Sequence, residues 1–444
     1  MGEVGAVAPG VLGGAPDDPA VRVGGQRWSY RDLERAIGEW NARYREVDCY
    51  DASELGSAEA LIAVCAAARR GIPVRVENPD ARPERAEIPP GAFLLVATSG
   101  STGRPRPLAR TAASWYDSFP DFSALTGITA ADRVLLTGPP HATMHLFGAL
   151  HALWAGACVT DEPGDATVVH AVPAVLREVV RAAPELRTAV LAGIAPDPGA
   201  LAVAGHLAVV EYYGSAEISL VAARRIDVAA AETSPIIEGP AGGPPTIGPA
   251  AGPSPTIERL AGASPTVGRP AGASPDAWGR RDDAGGGPAG PTGPLRLFPG
   301  VEAEIRDGLL FVRTPYAVLG APEWSGVGDL AELGADGQLR VRGRGDCAIN
   351  VGGTLVVAED VEQALAAVPG VRAVAVVGAP HSVFGSIVTA AVELHPDTEL
   401  AAVRARARLV LSREAVPRRW VPMPRLPRTA AGKVARGALR DLLV

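Results

Sequence analysis

The segment Pro427–Arg436, PRTAAGKVAR, contains Lys433, and no other lysine occurs in the 444-residue chain. Every other one of the 42 basic side chains is arginine. The two cations differ physically. Arginine is a broad planar fork that keeps its charge, while lysine carries a compact charge on a thin stem. A narrow site that brings one cation against an oxyanion favours lysine. A second candidate is Thr98–Arg106, TSGSTGRPR. Its hydroxyl side chains alternate with two glycines, so N–H and O–H groups can converge on phosphate oxygens. It lacks the Gly-Lys-Ser/Thr ending of a Walker loop. A third is Tyr213-Gly214-Ser215-Ala216-Glu217, which sets exposed backbone and a carboxylate side by side, an arrangement suited to a metal ion. His145 opens the run HLFG.

These residues need elements to position them. Ala92–Ala97 is a continuous apolar run, the pattern of a strand buried on both faces, and it leads directly into Thr98. Arg133–Leu136, Ala157–Thr160, Thr188–Ala192 and Leu207–Tyr212 read as further strands, with a loop and helix through HATMHLFGALHALWAG. Thr188–Ala192 ends in the tight turn Gly193-Ile194-Ala195-Pro196. Upstream lie a hairpin turning at Gly24-Gly25, a helix from Tyr30 to about Trp40 capped by Ser29, and an apolar helix Ala58–Arg69 before the strand Pro73–Val76. Helices alternating with strands predict a layered α/β domain. Beyond Leu295, VEAEIRDGLLFVR predicts a hairpin turning at Asp307-Gly308, and GVGDLAELGADGQLRVRGRGD repeats the pattern with Asp329 at a strand start. The final hundred residues predict a small α+β domain: helix Glu359–Val368, strands Ala373–Val377 and Val388–Glu393, and helix Ala401–Ser412.

Composition bounds the function. A hydrophobic content of 47% over this length supports one large domain and a small one. A net charge of −7 does not mark a nucleic-acid binder. The C-terminal stretch from Arg404 to Arg440 is nevertheless strongly basic, with only Glu414 as a counter-charge, and reads either as a solvated face or as a dock for a polyanion. The four cysteines, Cys49, Cys65, Cys158 and Cys347, show no zinc or disulfide spacing. The N-terminus lacks the basic and apolar regions of a secretory signal, and the apolar runs are too short to span a membrane, so a cytoplasmic protein is expected. From Thr233 to Gly293 the composition shifts to Pro, Gly, Ala, Ser and Thr, with SPTIERLAGA and SPTVGRPAGA repeating at ten residues. Too few large apolar residues remain for a core, which predicts a disordered insertion.

Taken in order, TSGSTGRPR, HLFG, GIAP, YYGSAE, Gly328-Asp329, GRGD and PRTAAGK resemble the acyl-adenylate-forming superfamily of acyl-CoA synthetases, free-standing adenylation domains and luciferases. The resemblance covers nearly the whole chain apart from the insertion. It implies a large N-terminal domain over residues 1–344 and a small mobile C-terminal lid over 345–444. It implies that a carboxylic acid and MgATP give acyl-AMP and pyrophosphate, after which the thiol of coenzyme A, or of a phosphopantetheinyl carrier protein, takes the acyl group. By position, Thr98, Ser99, Gly100, Ser101, Thr102 and Gly103 would hold the β- and γ-phosphates, with Arg106 following them, and Glu217 would bind Mg²⁺. Gly193, Ile194 and Ala195 would line the adenine pocket, with Tyr213 against the ring and Gly214 and Ser215 beside it. Asp329 would accept the ribose hydroxyls and Arg344 would help there. Lys433 would bridge the acyl carboxylate and α-phosphate, and His145 would sit near that carboxylate. Asp346 resembles a pivot that brings Gly352 and Gly353 to the pantetheine tunnel.

Three departures stand out. The loop continues Pro105-Arg106-Pro107 where the family has Pro-Lys-Gly. Ala216 replaces the usual threonine, a lost hydrogen bond of roughly 1.5–3 kcal/mol if charge-assisted. Asn350 stands where a cation is common. The readings are a CoA ligase, a carrier-protein-loading adenylation enzyme, and a degenerate non-catalytic binder. An aryl acid, a medium-chain fatty acid and a succinylbenzoate-type acid all remain compatible with the chain.

Overall fold

The computed structural model describes residues 10–44, 46–98, 105–193, 195–196, 198–226, 228, 293–334, 336–344, 348–351, 354–381, 385–428 and 434–443. Among these, thirteen strands form one central sheet. Half of it is parallel. Pro19–Val23, Cys158–Thr160, Arg133–Leu136, Val168–Ala171, Thr188–Ala192 and Ala208–Ser215 lie side by side in that order. These strands are apolar on both faces because both faces are covered. Val134, Val168 and Val190 pack with Leu146, Phe147 and Leu150 of the helix Thr143–Trp154. Their neighbours Leu135, Val169 and Leu191 point the other way, onto Leu176 and Val179 of the helix Pro173–Ala182.

The other half is an antiparallel run. Ser219–Ile226 doubles back on Ala208–Ser215 and is followed across the sheet by Leu295–Leu297, Gln338–Arg344, Ser325–Leu333, Leu309–Arg313 and Glu302–Arg306. The last hairpin turns at Asp307 and Gly308, both at positive φ (50° and 78°), as an Asp-Gly turn requires. A separate four-stranded sheet joins Tyr50–Asp51, Val74–Arg75, Leu94–Ala97 and Pro107–Arg110. A third sheet gathers Ala348–Val351, Thr354–Val357, Val371–His381, Gly385–Leu394 and Arg419–Pro422 around its own apolar clusters, forming the small C-terminal α+β domain. The architecture is the expected large α/β domain with a small α+β partner. No helix among the described residues is long and apolar enough to cross a membrane.

Three expectations need correction. The strand read as ending at Tyr212 runs on to Ser215, because Ser219–Ile226 pairs with it through a bulge at Tyr213/Gly214. Asp329 lies in the middle of Ser325–Leu333, not at its start. The hairpin of Ala348–Val351 with Thr354–Val357 and the helix Arg436–Leu443 are further elements that the residue pattern did not reveal. The insertion read over 233–293 lies, apart from Gly293, outside the described residues.

The N-terminal helix Tyr30–Arg43 is capped as expected: Ser29 Oγ accepts from Asp32 N, and the Asp32 carboxylate accepts from Ser29 N. Its first residue anchors it to the sheet. The buried Tyr30 hydroxyl donates to the Ala157 carbonyl at 2.8 Å and lies 3.2 Å from that of Leu153. Tyr30→Phe keeps the ring and removes the hydroxyl donor of the Ala157 carbonyl, while the Leu153 carbonyl still accepts from Gly13 N at 2.9 Å. We expect it to lower unfolding stability by about 1–2 kcal/mol in urea titrations; an unchanged midpoint would contradict the anchoring role.

Candidate active site

In open α/β sheets, ligands gather beyond the carboxyl ends of the parallel strands. Here Leu136, Ala192 and Ser215 end parallel strands and deliver the stretches 137–142, Gly193 and Ala216–Glu217 to one edge. Gly193 has φ +86°. Ala195 is exposed just beyond it. Gly214 is obligatory, since a Cβ there would lie 1.9 Å from the Ser219 carbonyl oxygen across the hairpin. The bulge that this close approach permits turns the chain toward Glu217.

Three of the candidates meet at this edge. Thr98 N donates to the Arg106 carbonyl at 3.0 Å, and Arg106 N donates to Thr98 Oγ1 at 3.2 Å, closing the base of the loop. Arg106 Nη2 reaches Glu217 Oε1 at 2.9 Å. Ser215 Oγ accepts from Glu217 N at 3.3 Å, and Val318 N donates to the Glu217 carbonyl at 2.8 Å. Among the described residues, no cluster of three or more His, Cys, Asp or Glu side chains could hold a metal. Mg²⁺ takes one or two carboxylates and completes its shell with phosphate oxygens and water. Glu217 is such a single, half-buried carboxylate.

A second pair forms across the hairpins. The Tyr213 hydroxyl donates to the Asp329 carboxylate, and Asp329 sits directly opposite Arg344 in the antiparallel register. Residue patterning gave no sign that Tyr213 and Asp329 touch, since 116 residues separate them.

His145 stands apart from the Arg106–Glu217 pair. It is buried on the helix Thr143–Trp154, with its ring where a Cβ on Gly138 would come within 2.4 Å of Nε2. Its Nδ1 has no partner. Two more histidines share its surroundings and were not anticipated. His151 is held by Ser123, Oγ to Nε2 2.7 Å, and His170 is buried with both ring nitrogens unpartnered and its ring where a side chain on Gly148 would go. Burial, then the neighbouring His141, pushes His145 down to about 4; burial, then the neighbouring imidazole, pushes His151 and His170 down to about 3.

Arg110 was also missed. It closes the strand Pro107–Arg110 four residues after Arg106, and no residue pattern sets it apart from the chain's other arginines. Ser99, Gly100, Ser101, Thr102, Gly103, Ile194, Asp346, Gly352, Gly353 and Lys433 lie outside the described residues.

Residues 360–433 match the AMP-binding enzyme C-terminal domain family. An uncharacterized acyl-CoA ligase of Bacillus subtilis is 25% identical over 392 residues, which cover 80% of this chain and 69% of that protein. The ATP-bound structure of MatB from Rhodopseudomonas palustris superposes with a TM-score of 0.70 at 19% identity, covering 96% of both chains. The small C-terminal domain is thus of the AMP-binding enzyme type, and the chain as a whole is similar to an acyl-CoA ligase and shares the fold of MatB. A salicylyl-CoA synthase/salicylate adenylyltransferase of a Streptomyces species is a further relative, 35% identical over 123 residues, 27% of this chain and 22% of that protein.

The buried histidines make a pH dependence. They are neutral in the fold, whereas the unfolded chain takes up their protons below about pH 6.5. Their contribution is therefore complete above about pH 6.5 and is lost as pH falls toward 4 and then 3. Each histidine adds about 1.4 kcal/mol per pH unit across that window. Urea unfolding between pH 7 and 5 should show a shallower loss of stability for His170→Leu than for the parent. Parallel slopes would show that His170 does not stay neutral.

Proposed function

We propose that the protein activates a carboxylic acid with MgATP to an acyl-adenylate and passes the acyl group to the thiol of coenzyme A. The observation that carries this reading is the Arg106–Glu217 pair at the base of the loop Thr98–Arg106. A carboxylate is a poor electrophile, and AMP turns its oxygen into a leaving group. Attack on the α-phosphate accumulates negative charge, so the chain's work is positioning and charge stabilisation.

In this reading Thr98–Gly103 cradle the β- and γ-phosphates, and Glu217 would hold a Mg²⁺ ion, which would supply charge neutralisation there. Arg106 is exposed, and a surface ion pair of this kind is worth about 1 kcal/mol or less, so incoming phosphate draws it from Glu217 at little cost. Tyr213 lies against adenine near Gly193–Ala195 and Gly214–Ser215, while its hydroxyl turns Asp329 toward the ribose. Arg344 assists at the ribose. Lys433 neutralises the acyl carboxylate and α-phosphate together, and neutral His145 sits near that carboxylate without repelling the lysine. The division at 344/345, with Asp346 as pivot, lets the small domain rotate so that Gly352–Gly353 face the pantetheine arm.

The relatives include an acyl-CoA ligase and a salicylyl-CoA synthase, which supports coenzyme A as acceptor. The second reading, loading of a phosphopantetheinyl carrier protein, draws on the same salicylate adenylyltransferase name and on the basic stretch from Arg404 to Arg440, which complements an acidic protein.

Pyrophosphate–ATP exchange with a panel of aryl, medium-chain and succinylbenzoate-type acids tests the first step. We expect exchange with at least one acid. Lys433→Ala should reduce it on the order of 10²–10³-fold, as loss of an oxyanion partner does. The thioester product with coenzyme A then decides the acceptor. Exchange without acyl-CoA, but with acylation of a holo carrier protein, establishes the second reading. No exchange with any acid overturns both.

A further inference from the structure

Arg110 is buried, with 1% of its surface exposed, yet it forms no ion pair with a carboxylate among the described residues. Its guanidinium instead collects neutral acceptors from three parts of the chain. Nη2 donates to the Ala216 carbonyl at 2.5 Å, and Nη1 donates to the Tyr316 carbonyl at 2.9 Å and to Ser114 Oγ at 3.3 Å. Nε has no partner. The guanidinium carbon lies 5.1 Å from the centre of the Trp115 ring. Burial lowers its affinity for the proton to a pKa of about 9, so it remains charged at neutral pH. The nearby Glu217 is the acidic group that opposes this loss.

A buried cation without an adjacent counter-charge is an expensive way to satisfy two carbonyls. Its position supplies a reason. Ala216 immediately precedes Glu217, and Tyr316 lies two residues before Val318, whose N–H holds the Glu217 carbonyl at 2.8 Å. Leu319 N then donates to the Ala109 carbonyl at 2.8 Å, next to Arg110 itself. One guanidinium thus ties the strand Pro107–Arg110 of the small sheet to both backbone segments that define the Glu217 turn.

We propose that Arg110 is a positioning residue for the metal–nucleotide site, acting through Glu217 without touching the nucleotide. This rests on the reading of Glu217 as the Mg²⁺ ligand. The network fixes the peptide from which the Glu217 side chain departs. The Glu217 side chain itself remains partly exposed. Arg106 does the complementary task from solvent and is free to leave.

The test compares the full-length parent with Arg110→Met and Arg110→Lys, using thermal unfolding as the fold control. Isothermal titration gives ATP affinity once with Mg²⁺ and once with EDTA, and the Mg²⁺ midpoint of pyrophosphate exchange gives a kinetic counterpart. Arg110→Met should weaken binding of MgATP by roughly tenfold or more, the loss of a charge-assisted hydrogen bond, while metal-free ATP binding changes little. Arg110→Lys keeps the charge with fewer donors and should fall between the two. If Arg110→Met does not fold, Arg110→Lys must still show the selective loss. Equal weakening with and without Mg²⁺, or parent-like MgATP affinity in the folded variants, overturns the positioning role. Mg²⁺-independent ATP binding by the parent overturns the assignment of Glu217 itself, and this inference with it.

Discussion

The site depends on a junction between two sheets. The four-stranded sheet supplies Thr98 and Arg106 at the mouth of a loop, and the central sheet supplies Glu217 at the end of Ala208–Ser215. Neither sheet alone makes the site. Two successive amides join them: Val318 N donates to Glu217, and Leu319 N donates to Ala109. Arg110 fills the space behind this seam and binds carbonyls on both sides. A backbone seam of this kind leaves few degrees of freedom between the Glu217 peptide and the strand that ends in Arg110, and positioning is what the proposed phosphoryl chemistry demands.

Much of the fold was legible because the parallel strands are apolar runs bounded by turn residues. Arg133–Leu136 and Thr188–Ala192 coincide with the observed strands, and Ser29 caps its helix as read. The misreadings share a cause. Gly214 and Ser215 look like a loop because glycine and serine are weak strand formers, yet the close approach of the Ser219 carbonyl makes glycine the residue the strand needs. Asp329 looked like a strand start because a charged residue after Gly328 resembles a boundary. It is instead an inward-facing carboxylate inside a strand, stabilised by the distant Tyr213 hydroxyl. Pairings of this range leave no local trace in a single sequence.

The candidate site was legible to a different degree. Order along the chain exposed the resemblance, because glycine-rich loops, a lone lysine and spaced carboxylates are residue types suited to chemistry. The supporting residues were invisible for the opposite reason. Arg110 is one arginine in a chain whose cations are almost all arginine, so its type carries no signal. The imidazoles of His151 and His170 are likewise uninformative until burial and orphaned nitrogens set them apart.

Strength and weakness are distributed in this site according to what must move. The Arg106–Glu217 pair is exposed on the arginine side, where solvent screens it and a competing anion can replace it. Arg110 is sealed from solvent, where each hydrogen bond from a charged donor counts for more and no competing anion arrives. Exchanging the two environments would defeat the proposed site: a buried Arg106 would keep the carboxylate from the proposed metal, and an exposed Arg110 would let the turn drift. The same logic separates the two kinds of cation. An arginine fork suits carbonyls fixed at several angles around Ala216 and Tyr316, whereas the single lysine, on its slender stem, suits a group that must enter a crowded site and withdraw.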